Sequence, residues 1–299
     1  LGYDRNLQNS IMSSIAFATG NQQTVNAGSA NGADIVITKP TSLAVGDFML
    51  ACFSTGQSGS TPANMDLLSG WTLIKQTATS KSALDVMYKI AASGDVAASN
   101  FTFHNTTNGG TFTWAMAGVI MRWTGVDTTT PVVASNNATG SGTGITVTTI
   151  TPGTEPMLVL VTGGCNGSAT RTVSGQAIAN NNPSWTEDYD FGPGAGALCS
   201  LGVAHAGWGF ATATGSATAT FNASEDGSGG ILVALQPQKV YATIAASVAT
   251  LIVPTTVIKI AAVIASIVST MSVPAINITG AVWSTLAKHS STWTNTTKN

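Results

Sequence analysis

From Ser14 to Pro237 the chain is cut into short apolar runs by clusters of Gly, Asn, Ser and Thr. This spacing constrains the fold more than any other feature of the sequence. The runs are Ala33–Thr38, Asp47–Phe53, Gly70–Lys75, Ala83–Ile90, Asn100–His104 and Phe112–Trp123. They resume as Ile145–Ile150, Met157–Thr162, Gln176–Ala179, Ser184–Tyr189, Leu198–His205, Ala217–Phe221 and Gly230–Leu235. Each is strand-sized and bounded by turn-forming residues, which is the pattern of a β-sandwich or jelly roll. No long stretch carries a helical apolar stripe. The fold class expected is therefore all-β, with a β-sandwich or jelly-roll-like head followed by a short β-repeat stalk. Phe112–Trp123, the longest and most apolar run, reads as a central strand covered on both faces.

Four segments follow from these shifts in pattern. Residues 1–30 hold a polar lead-in and the first strand, and residues 31–237 the sandwich head. The head has two halves, 31–127 and 145–237, joined by a polar Thr/Asn/Gly bridge from Thr128 to Gly144. Residues 238–279 carry two repeats, and residues 280–299 form a foot or attachment segment.

The repeats align without a gap. Ile244–Pro254 matches Ile264–Pro274 position by position, with Ile, Ala, Val, Thr, Val and Pro identical between them. A unit this small cannot bury its own apolar face, so neighbouring repeats or other chains must cover it. Val240–Ile258 also carries no charge and is long enough to span a bilayer as a helix. Against that reading, the run is rich in Val, Ile and Thr, and Pro254 and Pro274 recur where a turn between strands would take them. Lys259 between the runs has no basic flank to orient a hairpin. A β-fibre stalk is expected, a membrane hairpin and an apolar arm buried by a partner being the rivals. Its assembly positions are Ile244, Val248, Leu251, Val253, Pro254, Ile264, Val268, Met271, Val273 and Pro274. Threefold bundling would cover them, so a homotrimer is expected. In the foot, Trp283 with Lys288 and Trp293 with Lys298 mark a shorter periodicity.

Charge narrows the partners. Asp, Glu, Lys and Arg make up only 8% of the chain, against about 25% in ordinary soluble domains. The apolar share of 43% excludes a disordered composition. A net charge of −2 with scattered Lys and Arg argues against nucleic acid. Ile11–Ala18 is apolar but too short for a signal-peptide core, so a classical export signal is not expected.

Few residues could carry chemistry. Cys52, Cys165 and Cys199 are odd in number and widely spaced, which suits buried thiols or one bridge plus a spare. His104, His205 and His289 have no ligand neighbour at metal-site spacing, and neither a metal nor a cofactor is expected. Gly192–Ala197 satisfies a dinucleotide fingerprint formally, but Pro193 interrupts it and no helix follows. Glu187, Asp188 and Asp190 around Tyr189, and Glu225 with Asp226, are the acidic clusters, and solvent-facing loops are the plain reading. Trp71, Trp114 and Trp123 lie inside strand runs and are expected in the core. Trp185, Tyr189 and Trp208 lie near loops, with Asp188 and Asp190 as polar companions. A shallow aromatic platform for sugars is the candidate site.

The head also carries an ordered set of short matches. They are Lys39-Pro40, Gly46-Asp47, Gly70-Trp71-Thr72-Leu73-Ile74, Tyr88-Lys89-Ile90-Ala91, Phe101-Thr102-Phe103, Thr124-Gly125-Val126-Asp127, Pro131, and Ile231 through Pro237. Over residues 30–237 this resembles a β-rich domain common in tailed-phage virion proteins and their prophage-encoded relatives. The repeats and the Trp293–Asn299 ending are similar to segments of phage tail and fibre proteins. The resemblance implies a non-enzymatic virion structural protein, fibre-like or decorating, on the head or the tail, with other virion proteins and host surface carbohydrate as partners. It brings no catalytic residues. The alternatives from other classes are a cell-surface adhesin or extracellular filament subunit, and a glycan-degrading enzyme using the Glu187 cluster.

Overall fold

The computed structural model describes residues 14–25, 34–56, 62–105, 115–153, 155–166, 171–193 and 199–238. Ser13–Gln238 forms one compact unit. The two repeats, every assembly position from Ile244 to Pro274, Trp283, Trp293 and Trp114 lie outside the described residues.

Strands occupy 61% of the described residues and helix 3%, so the fold is all-β. In chain order the strands are β1 (Ala16–Val25), β2 (Ile35–Thr38), β3 (Phe48–Gly56), β4 (Thr72–Ala78), β5 (Ser82–Ile90), β6 (Asn100–Phe103) and β7 (Ala115–Thr124). Then follow β8 (Val132–Val147), β9 (Met157–Cys165), β10 (Val173–Ile178), β11 (Thr186–Phe191), β12 (Ser200–Gly207) and β13 (Ala217–Leu235). A short helix, α1 (Ser93–Ala97), interrupts the first half.

Each half of the chain builds its own sheet. The first half gives an antiparallel sheet in the order β1-β7-β3-β5-β4, with β2 and β6 paired separately. The second half gives the order β10-β13-β9-β12-β11, with β8 also paired to β13. The two sheets pack face to face as a sandwich. Between them lies an apolar layer that includes Leu50, Leu84, Val119 and Trp123 from one sheet and Val161, Val203 and Ile231 from the other.

Two further apolar layers explain why the central strands read as continuous hydrophobic runs. On the outer face of the first sheet, Met49, Phe53, Met87 and Ile120 are covered by Ile35 and Ile37 of β2 and by Phe101 and Phe103 of β6. On the outer face of the second, Leu158, Leu160 and Leu232 pack with Val173 and Ile178 of β10 and Phe221 of β13. A strand covered on both faces cannot alternate, and β3 is buried along its whole length.

Two expectations change. The polar bridge Thr128–Gly144 is largely strand, because β8 begins at Val132 and runs along β13 over most of that strand's length. As a sheet edge it needs backbone partners on one side only and tolerates Asn, Ser, Thr and Gly side chains. The runs Ala217–Phe221 and Gly230–Leu235 are the two ends of one bent strand, with register shifts between Thr220 and Ser228. Its first part pairs with β10 and its second with β9.

The sandwich has two distinct poles. The proximal pole holds Ala16 opposite Thr124 and Leu235 opposite Met157. There Val126 bridges Pro237, and Gln238 N–H donates to Gly125 O at 2.7 Å. Ser14 and Gln238, the first and last described residues, are thus at the same end. At the distal pole Gly56 lies opposite Ala115, and Cys165 opposite Gly227. Strand ends at this pole flank segments 26–33, 57–61, 106–114, 167–170 and 194–198, and none of these segments contains a charged residue.

Candidate functional site

The acidic run on β11 does three different jobs. The β11–β12 register shifts between Glu187 and Tyr189, so Asp188 is the extra residue of a bulge. The bulge turns its carboxylate onto His205 of β12, whose Nδ1 lies 2.8 Å from Oδ2. The Asp188 side chain is 2% exposed and that of His205 18%. Trp123 stands edge-on to the imidazole at 5.2 Å, and Phe17 of β1 is 6.2 Å from it. Phe17 also meets Trp123 at 5.4 Å and Tyr189 at 6.2 Å. The Asp188–His205 pair therefore sits in an aromatic slot where β1 and β11, edge strands of the two sheets, come together.

Tyr189 closes this slot by lying across β1. Gly20 makes that approach feasible, since a Cβ there would sit 2.5 Å from Tyr189 Oη and 2.9 Å from Ile120 O. Burial raises the Tyr189 phenol pKa, and the nearby Asp188 charge raises it further. Asp190 faces the other way. It accepts Val173 N–H at 2.9 Å and so ties β11 to β10. Burial raises the Asp190 pKa, the Val173 hydrogen bond opposes the shift, and the Glu187 charge adds to it. Glu187 itself is exposed.

The sequence-predicted aromatic platform is not assembled. Trp208 is 1% exposed and packs into the outer layer of the second sheet. Its backbone N–H donates to Pro156 O at 2.9 Å, one position beyond the Gly207–Met157 pair of the β12–β9 ladder. Phe210, edge-on to Trp208 at 5.1 Å, is the exposed ring there. Trp185 is half-buried against the same outer layer. Tyr189 is half-buried against the layer between the sheets, with Asp188 turned inward beside it. Trp208 lies just past the end of β12 and is nevertheless core, because the apolar outer layer covers it.

A second buried acid lies toward the distal pole. The Glu225 side chain has no exposure, and its Oε1 is 3.4 Å from Arg171 Nε. Gly164 of β9 provides its seat, because a Cβ there would come within 2.8 Å of Glu225 Cδ. Burial pushes its pKa up to about 7; Arg171 lowers it and Asp226 raises it. Asp85 of β5 is a third such group. It accepts Asn64 Nδ2–H at 2.8 Å and Met65 N–H at 3.0 Å, pinning the connection before β4. Burial pushes its pKa up to about 7 against those hydrogen bonds.

Sequence reasoning singled out Asp188 and Glu225 but missed their partners. His205 sits in an otherwise apolar alternation, and Phe17 and Tyr189 belong to opposite halves of the chain. Only the strand register brings such pairs together. Among the described residues no group of three or more His, Cys, Asp or Glu side chains could hold a metal ion. Nor is any described helix long and apolar enough to cross a membrane. Comparison with protein-family models, curated proteins and solved structures finds no match to this chain.

Proposed function

We propose that this is a non-enzymatic virion structural protein, a fibre-like or decorating appendage whose sandwich is the head. The observation that carries the reading is the polarity of the sandwich. Ser14 and Gln238 leave from the proximal pole, so the apolar repeats that follow Gln238 start there. The strand ends at the opposite pole lead into uncharged connections rich in Gly, Ser, Thr and Asn. A module whose chain enters and leaves at one end, and whose strands at the other end join uncharged sequence, suits an appendage that meets a surface, and the resemblance of residues 30–237 to phage virion domains points the same way. Bacterial surface glycans are the proposed contact, through the distal connections rather than through Trp208. The homotrimer is proposed for the repeats, whose Ile, Val and Leu need cover.

Light scattering on the full chain and on residues 14–238 tests this. A three-chain mass that becomes a one-chain mass on truncation is the expected result. One-chain masses for both would remove the stalk, and a full chain that needs detergent where the truncated one does not would turn the repeats into a membrane anchor.

A further inference from the structure

The ladder between β9 and β12 ends one position short of two thiols. Ser200 pairs with Gly164, Leu201 with Gly163 and Val203 with Val161. Continuing that register by one position sets Cys199 against Cys165. Val161, Leu201 and Val203 point into the layer between the sheets, and Cys165 and Cys199 belong to the same layer. Their side chains therefore share one face of the sheet. Directly opposed residues of an antiparallel pair have Cα atoms about 4.5–5.5 Å apart, inside the range of about 4.4–6.8 Å that a disulfide requires. Burial raises the Cys199 thiol pKa well above its usual value, and the nearby Cys165 raises it further. On the opposite flank of Cys165 is Gly227, which has no side chain to crowd it. Cys52 belongs to the other sheet, in the middle of β3 between Val86 and Val119.

We propose that Cys165 and Cys199 form a cross-link site that closes a single disulfide on oxidation, with Cys52 left as a thiol. The oxidant is a small-molecule disulfide. One protein thiolate attacks it, forming a mixed disulfide and expelling one small thiolate. The second protein thiolate then attacks the protein sulfur of that mixed disulfide and expels the other. Two protein thiols are oxidised, one external disulfide is reduced to two thiols, and the two protein protons pass to the departing thiolates. Both cysteines are 2% exposed or less, so exchange proceeds through local opening of the distal pole. The bond ties the base of segment 167–170 to that of 194–198.

The full chain is incubated with oxidised glutathione, alkylated under denaturing conditions, digested without reductant and mapped by mass. The expected product joins the Cys165 and Cys199 peptides, two hydrogens lighter than their sum, with Cys52 alkylated. The oxidised form should unfold at a higher denaturant concentration than the reduced form. That difference should persist in Cys52→Ser and vanish in Cys199→Ser. Three alkylated cysteines, glutathione adducts alone or links to Cys52 would each overturn the proposal. Should Cys199→Ser fail to fold, the peptide map of Cys52→Ser decides alone.

Discussion

Asp188 and His205 meet across the β11–β12 ladder at 2.8 Å because one extra residue is inserted between Glu187 and Tyr189. In a regular strand Asp188 would face away from both of those neighbours. The bulge lets Asp188 and Tyr189 turn to the same side, so a carboxylate and an imidazole close the slot between the two sheets beside Phe17 and Trp123.

Removing the carboxylate should expose what the pair contributes. Asp188→Ala leaves a mostly buried imidazole without its partner, and a cost of about 2 kcal/mol is expected from hydrogen bonds to charged groups. Asp188→Asn should cost less, since an amide oxygen still accepts from Nδ1–H. Urea unfolding of the three proteins at one pH measures this, and equal midpoints would mean that the pair adds nothing to stability.

Asp85 and Glu225 predict an unusual pH profile. Both have folded pKa values of about 7, raised by burial above ordinary values of 3.8 and 4.5. Below pH about 3 each is mostly protonated in both states and its contribution is constant. As pH rises toward about 7 the folded state holds protons that the unfolded state has released, so stability falls across this window and levels above it. Urea midpoints should therefore be higher at pH 5 than at pH 8. Asp85→Asn and Glu225→Gln should each flatten the slope. A profile that rises with pH and is unaltered by both substitutions would contradict the assignment.

Gly20 and Tyr189 should be energetically coupled. A methyl group at residue 20 meets Tyr189 Oη at 2.5 Å and Ile120 O at 2.9 Å. Gly20→Ala should cost about 1–3 kcal/mol, the usual range for overpacking. Tyr189→Phe should recover part of that loss by removing the hydroxyl, while the backbone contact keeps the rest. A double-mutant cycle reads the coupling, and strict additivity would show that the two residues do not touch in solution.

Trp208 separates a core role from a surface one. Trp208→Ala should destabilise by about 3–5 kcal/mol, as for other buried aromatics. Phe210→Ala, at an exposed ring, should change stability by less than about 1 kcal/mol. Calorimetry on the two variants ranks them, and the reverse order would place Trp208 at the surface.

The strand content was legible because each sheet-forming run carries its own signal. Asp47–Phe53 and Met157–Thr162 are apolar beyond alternation, and β3 and β9 are buried on both faces as such runs require. Trp71 and Trp123 were legible as core for the same reason, at 4% and 0% exposure. Residues 132–144 of β8 were hidden, because an edge held by backbone hydrogen bonds to β13 puts no constraint on side-chain polarity. The candidate site was hidden further. Asp188 and His205 lie on separate strands, Phe17 and Tyr189 on separate sheets, and nothing local in the sequence marks either pair.

What the sequence alone determined is therefore the class of structure: many short strands, no long helix among the described residues, and a chain sparse in charge. Those properties are sums over local windows, where turn residues and apolar runs act independently of the rest of the chain. The tertiary structure alone decided which half-chain forms which sheet, where the bulge on β11 falls, and which of Trp185, Tyr189 and Trp208 is buried. It also decided that Cys165 and Cys199 belong to one layer between the sheets. These depend on strand register, where a shift of one position moves every side chain to the opposite face, and register is settled only when the partner strands and both covering layers are in place.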